Sequence, residues 1–132
     1  MRRLILAALL TASCAADPVQ PEGVAEGTYA GSGRNALCIA GAGASQRAGL
    51  IVYGTGDLNC SVSGKLVGGD LVPAGDAECR IPLLIEGKVV TLGAAPASCE
   101  YYCGYEKKLA GERFELTARK APVTDLAGDP LC

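Results

Sequence analysis

Seven cysteines carry most of the reactive chemistry in this chain: Cys14, Cys38, Cys60, Cys79, Cys99, Cys103 and Cys132. An odd count in an exported protein leaves one thiol outside the disulfide set. Cys14 stands apart at the end of an apolar run; setting it aside leaves six, enough for three disulfides in an oxidising compartment. Cys99 and Cys103 are four apart, not in the C-x-x-C spacing of thioredoxin-type redox sites, and no βαβ pattern precedes them. Structural disulfides therefore account for them better than redox catalysis. Six cysteines admit many pairings. A bond between Cys60 and Cys79 across the hairpin is expected, with Cys38, Cys99, Cys103 and Cys132 forming the others.

The remaining side chains exclude more chemistry than they suggest. There is no histidine, which removes Ser-His-Asp and Cys-His nucleophile pairs, imidazole-ligated zinc and a neutral-pH switch. Ser63 and Lys65 alternate on one strand face and read as a solvated surface, not a Ser-Lys dyad. GAGASQ lacks the third glycine of a dinucleotide fingerprint, and neither a P-loop nor a G-x-S-x-G elbow occurs. Asp57, Asp70 and Asp76 sit at or near turns, where turn chemistry explains them, without the ligand spacing of an EF-hand. No catalytic residue, cofactor or metal is assigned.

The densest functional cluster is Tyr101, Tyr102 and Tyr105 with Lys107 and Lys108. Tyrosines beside lysines on a loop suit stacking on a sugar or anchoring a protein. Equally, such rings cover disulfides in a core with one Phe and no Trp. One or two of these rings at most should be free for a ligand.

At the N-terminus, Arg2 and Arg3 precede the apolar run Leu4–Leu10 and the small residues Thr11, Ala12 and Ser13, the pattern of an export signal. The run is too short to span a bilayer, which needs about 20 residues. Leu10-Thr11-Ala12-Ser13-Cys14 resembles the lipobox of bacterial lipoproteins, with Thr11 where Leu is more usual. The resemblance covers about fourteen residues. It implies cleavage before Cys14, a diacylglycerol on its sulfur and acylation of its amine. With Ala15, not Asp, following the cysteine, it also implies the outer membrane. Cleavage after Ala15 or Ala16 by an ordinary signal peptidase fits the same residues and would leave a soluble periplasmic protein. The even count of the other cysteines agrees with either.

Without Arg2 and Arg3, ten Lys and Arg face fourteen Asp and Glu, a net of −4. That balance argues against nucleic acid, which wants a basic face, and is compatible with a basic protein partner. The 119 residues from Cys14 onward make one small domain. With so few large side chains its core is limited, and disulfides worth about 2–4 kcal/mol each matter against a total of about 5–15 kcal/mol.

Chemistry aside, the elements are predicted as follows. Residues 1–13 are the signal, 14–26 a Pro- and acid-containing tether, and 27–132 a disulfide-stabilised domain. Its pattern is all-β: GTYAGSG, ALCIAG, RAGLIVY, NCSVSGKLV, DLVP, ECRIPLLIE, VVTLG and ERFELTARK alternate in strand fashion and are broken by Gly turns. Gly68-Gly69 suits a two-residue hairpin. Cys79, Ile81, Leu83 and Ile85 should share a buried face, as should Phe114, Leu116 and Ala118. Pro82 should mark an edge or bulge. Within APASCEYYCGYEKKLAG, Ser98 should cap a helical turn that Gly104 ends, with Cys99 and Cys103 on one face. About seven or eight short strands joined in sequence predict a small antiparallel meander, closed as a barrel or stacked as a sandwich.

These readings lead to an expected function: a non-enzymatic, outer-membrane-anchored periplasmic lipoprotein with a binding or structural role in the envelope. Its partners would be the membrane, through the lipid, and a protein or glycan. Alternatives are a periplasmic lysozyme inhibitor, by analogy of fold and location alone, or a hydrolase of envelope polymer. The hydrolase would use carboxylates such as Asp57, Asp70, Asp76 or Glu78 held about 5–10 Å apart.

Overall fold

A computed structural model describes residues 23–132. The expected signal, the lipobox-like stretch and Cys14 lie outside the described residues. The strands run β1 Gly27–Ala30, β2 Ala36–Ala40, β3 Arg47–Tyr53, β4 Asn59–Val67, β5 Asp70–Pro73, β6 Ile81–Glu86, β7 Val89–Leu92 and β8 Arg113–Leu116. Each pairs antiparallel with the next, and β8 pairs with β1, so the meander closes into an eight-stranded barrel. Of the two predicted all-β arrangements, the barrel is the one formed. Closure removes sheet edges, which would otherwise offer unpaired backbone to other chains.

Strand alternation sends one residue in two inward. Tyr29, Leu37, Ile39, Leu50, Val52, Val62, Leu71, Ile81, Leu83, Val90, Leu92 and Phe114 fill the interior with Cys60, Cys79 and Cys99. A second apolar cluster lies outside the barrel wall. There the C-terminal segment packs Val123 and Leu131 on Cys38 and Ile51. Gly49 makes this contact possible, because any Cβ there would run into Leu131. Ser63 Oγ donates to the Leu131 carbonyl at 2.6 Å, and Cys132 is bonded to Cys38. The non-periodic tail is thus an ordered strap. Gly64 is required for a similar reason: a side chain there would meet the Val72 carbonyl of the neighbouring strand.

Several local expectations need correction. Cys60 does not bond Cys79; the three disulfides are Cys38–Cys132, Cys60–Cys103 and Cys79–Cys99. β5 ends at Pro73 and a loop carries Cys79 away from β4, so the two cysteines do not meet. Ile85 is exposed although it points inward by alternation. β5 pairs with β6 only through Asp70–Pro82 and Leu71–Ile81, so no strand covers Ile85 on that side. Pro82 sits in this shortened ladder and not at an open edge. Ala118 is exposed because β8 ends at Leu116.

Candidate functional site

In an up-and-down barrel the connections alternate between two rims. The upper rim carries the β1–β2, β3–β4, β5–β6 and β7–β8 connections. The lower rim carries the β2–β3, β4–β5 and β6–β7 turns, together with the segments before β1 and after β8. The β7–β8 connection, residues 93–112, is by far the longest and folds across the upper rim as a lid. Two disulfides clamp it. Cys99 is bonded to Cys79 in the β5–β6 loop, and Cys103 to Cys60 on β4. Cys60 and Cys103 also form an antiparallel bridge, and the Gly104 amide donates to the Asn59 carbonyl at 3.1 Å. The lid therefore occupies the upper part of β4, which short β5 leaves without a ladder.

The expected helical turn is a 3-10 helix over Ala97–Tyr102. Its N-cap is Pro96, not Ser98, and Ser98 Oγ instead donates to the Glu78 carbonyl at 3.1 Å. This bond joins the lid to the β5–β6 loop alongside the Cys79–Cys99 disulfide. Cys103 caps the helix at its C-terminal end, one residue before the expected Gly104.

Lid folding separates the three clustered tyrosines into different roles. Tyr101 is 86% exposed and meets Tyr102 edge-on, with centroids 5.2 Å apart and planes at 89°. Such edge-to-face pairs hold ring orientation. Tyr102 is half-buried against the core, and its hydroxyl donates to Asp76 Oδ2 at 2.8 Å. Burial, then the hydrogen bond to Asp76 and its negative charge, push the phenol up to about 12. Asp76 also accepts the amides of Glu78 and Cys79, each at 3.3 Å. One carboxylate thus organises the loop and holds the tyrosine. Tyr105 lays its ring on Gly54, where a Cβ would come within 2.5 Å of the ring. Its hydroxyl is buried and has no hydrogen-bond partner among the described residues.

The two lysines diverge as well. Lys107 Nζ lies 2.9 Å from Glu112 Oε1. The hydrogen bond to Glu112 raises the Lys107 pKa against a smaller opposing effect of burial, with the Glu112 charge adding to the rise. Lys108 is exposed. Both line a cleft of about 400 Å³ beneath the 3-10 helix, together with Pro96, Glu100 and Leu109. The cleft has an alanine-rich floor, with a carboxylate and ammonium groups in its walls. No nucleophile–base pair lines it.

Of the carboxylates considered for hydrolysis, Asp76 and Glu78 share the β5–β6 loop, while Asp57 lies in the β3–β4 connection and Asp70 at the start of β5. Asp57 pairs with Arg34 at 3.3 Å, Asp70 with Arg80 at 3.0 Å, and Asp76 with Tyr102 as above. Among the described residues no group of His, Cys, Asp or Glu is arranged to hold a metal ion. Arg34 lies over the Tyr53 ring at 3.9 Å and donates to the Gly56 carbonyl at 2.7 Å, tying two upper-rim loops together. Neither this stack nor the work of Asp76 is legible in the sequence, because both join residues from different turns. Comparison with protein-family models, curated proteins and solved structures finds no match for this chain.

Proposed function

We propose that the protein is a non-enzymatic binding lipoprotein of the bacterial envelope, anchored at the periplasmic face of the outer membrane through Cys14. Its upper rim would present Tyr101 to a protein or glycan partner. The observation that carries this reading is the exposure of Tyr101 on a lid clamped by two disulfides. A large exposed ring on a rigid support loses little conformational freedom on binding, which is how aromatic anchors gain affinity. Radioactive palmitate tests the anchor: the wild-type chain should take up label and a Cys14→Ser chain should not. An unlabelled wild type overturns the anchored reading and leaves the soluble periplasmic one.

A more specific reading, inhibition of lysozyme, is favoured by the charge around Tyr101. Glu78, Glu100 and Glu106 are exposed on the same lid and adjoining loop, and an acidic rim draws a basic enzyme. Purified protein added in excess to lysozyme and cell walls should slow the loss of turbidity, and Tyr101→Ala should weaken that effect. Unchanged lysis with the wild-type protein excludes this reading.

A further inference from the structure

We propose that the lower rim of the barrel is a docking surface for an anionic phospholipid bilayer. The idea rests on the lipoprotein reading for bringing that rim near a membrane, but its geometry is independent of the lipid. Below Leu83, whose amide donates to the Gly69 carbonyl at 3.0 Å, β6 runs on past the end of β5. Leu84 and Ile85 are consecutive, so they point to opposite faces, yet they are 56% and 40% exposed. Val67, at 45%, precedes the adjacent Gly68-Gly69 turn. Among the described residues, the other large exposed apolar side chains, Leu58, Tyr101 and Leu126, lie on the upper rim and in the tail.

The charges around this patch fit the same partner. Lys65 lies on the outer face of β4 two residues before Val67, and Lys88 lies in the β6–β7 turn. Both are exposed, and neither is in an ion pair among the described residues. Arg119 and Lys120, also exposed, follow β8 onto this rim. One rim carboxylate, Asp70, is paired with Arg80 at 3.0 Å; Glu26 accepts the Gly41 amide but keeps its charge. Glu26, Glu86 and Glu115 thus stand against Lys65, Lys88, Arg119 and Lys120, and the charge left outside ion pairs on the rim is positive by one. Lysines reach a headgroup layer while their stems cover apolar surface, and cations near an anionic leaflet are held there.

The chain enters from the same side. Gln46 is buried, and its side-chain amide donates to the Val24 carbonyl at 2.5 Å and the Gly41 carbonyl at 3.2 Å. Nine residues of chain from Cys14 to Gly23 reach at most about 30 Å. A lipid on Cys14 would therefore keep this rim within that distance of the bilayer.

The protein has no tryptophan, so one introduced indole reports its own surroundings. The test uses the chain from position 14 onward carrying Cys14→Ser, which holds neither signal nor lipid, with Leu84→Trp, and vesicles of phosphatidylglycerol and phosphatidylcholine. Failure of the anchor therefore leaves the result readable. The expected result is a blue-shifted emission, quenched by brominated acyl chains. Replacing Lys65 and Lys88 by Ser should weaken partition about twenty-fivefold, about fivefold for each lysine. A Tyr101→Trp control on the opposite rim should stay unquenched. Absence of quenching at saturating lipid overturns the proposal, as does equal quenching at both rims. A blue shift that needs no lipid and grows with protein concentration also overturns it, in favour of a second copy of the chain.

Discussion

Tyr105 shows most sharply how the lid separates neighbouring side chains. Its ring contributes apolar contact on Gly54, while its hydroxyl is taken from water and left without a partner. A buried hydroxyl with no hydrogen bond costs about 1–3 kcal/mol. Tyr105→Phe is therefore expected to be neutral or to stabilise by about 1 kcal/mol, read as an unchanged or raised melting temperature. A clear loss of stability would mean that the hydroxyl has a partner in solution. Tyr102 gives the opposite expectation. Its hydrogen bond to Asp76 is made, so Tyr102→Phe should cost about 1 kcal/mol. The pH dependence has a definite sign. The folded phenol, pushed up to about 12, lies above its unfolded value of about 10. Its contribution is complete below pH about 10 and is lost as pH rises towards 12, because the unfolded chain releases the proton first. Lys107, also raised, acts in the same sense. Thermal melts across this range should fall for the wild type and fall less for Tyr102→Phe. Tyr29, raised by burial, keeps part of the slope in both.

At the scale of elements, the strands were legible because two-residue alternation and Gly turns are local properties. The Gly68-Gly69 turn, with φ of 57° and 85°, joins β4 and β5 where the sequence places it. The β6–β7 hairpin likewise turns at Gly87, where φ is 60°. Disulfide pairing was not legible. Cys60 lies on β4 and Cys79 in the β5–β6 loop, so the length of β5 decides whether they meet. The buried clamp made by Gln46 was equally hidden, since it joins the segment before β1 to the β2–β3 connection. The tail had no period to read, and its order comes from one disulfide and the contacts of Leu131. Those contacts can be separated from the barrel. Cys38–Cys132 closes 94 residues of sequence, and the chain-entropy relation gives about 4–5 kcal/mol for a loop of that length. Because the wall closes through β1–β8 pairing without this bond, the double variant Cys38→Ser, Cys132→Ser should keep a native-like β spectrum. It should melt at lower temperature and bind a hydrophobic dye through the uncovered Ile51 and Val123. Loss of the β spectrum under conditions where the wild type is folded would show that the strap is needed for closure.

For the whole molecule, the cysteine count and the rim assignment make one joint prediction. All three disulfides close without Cys14, so the fold should be indifferent to that residue while location depends on it. A Cys14→Ser chain should show no free thiol and the same melting temperature as the wild type. A free thiol, or a lower melting temperature, would place Cys14 inside the disulfide set and overturn its separation from the barrel. In cell fractions the lipidated wild type should stay with the membrane at every salt concentration, because acyl chains are held by apolar burial that salt does not screen. The Cys14→Ser chain, once cut after Ala15 or Ala16, should move to the soluble fraction, yet at low ionic strength part of it should still sediment with anionic membranes. That residue should disappear as salt is raised, since exposed charges are screened beyond about 10 Å at 0.1 M. Lys65 and Lys88 should control it, and Tyr101 should not. A fraction that resists salt would instead point to capture by a partner at the upper rim, and replacing Tyr101 would then release it.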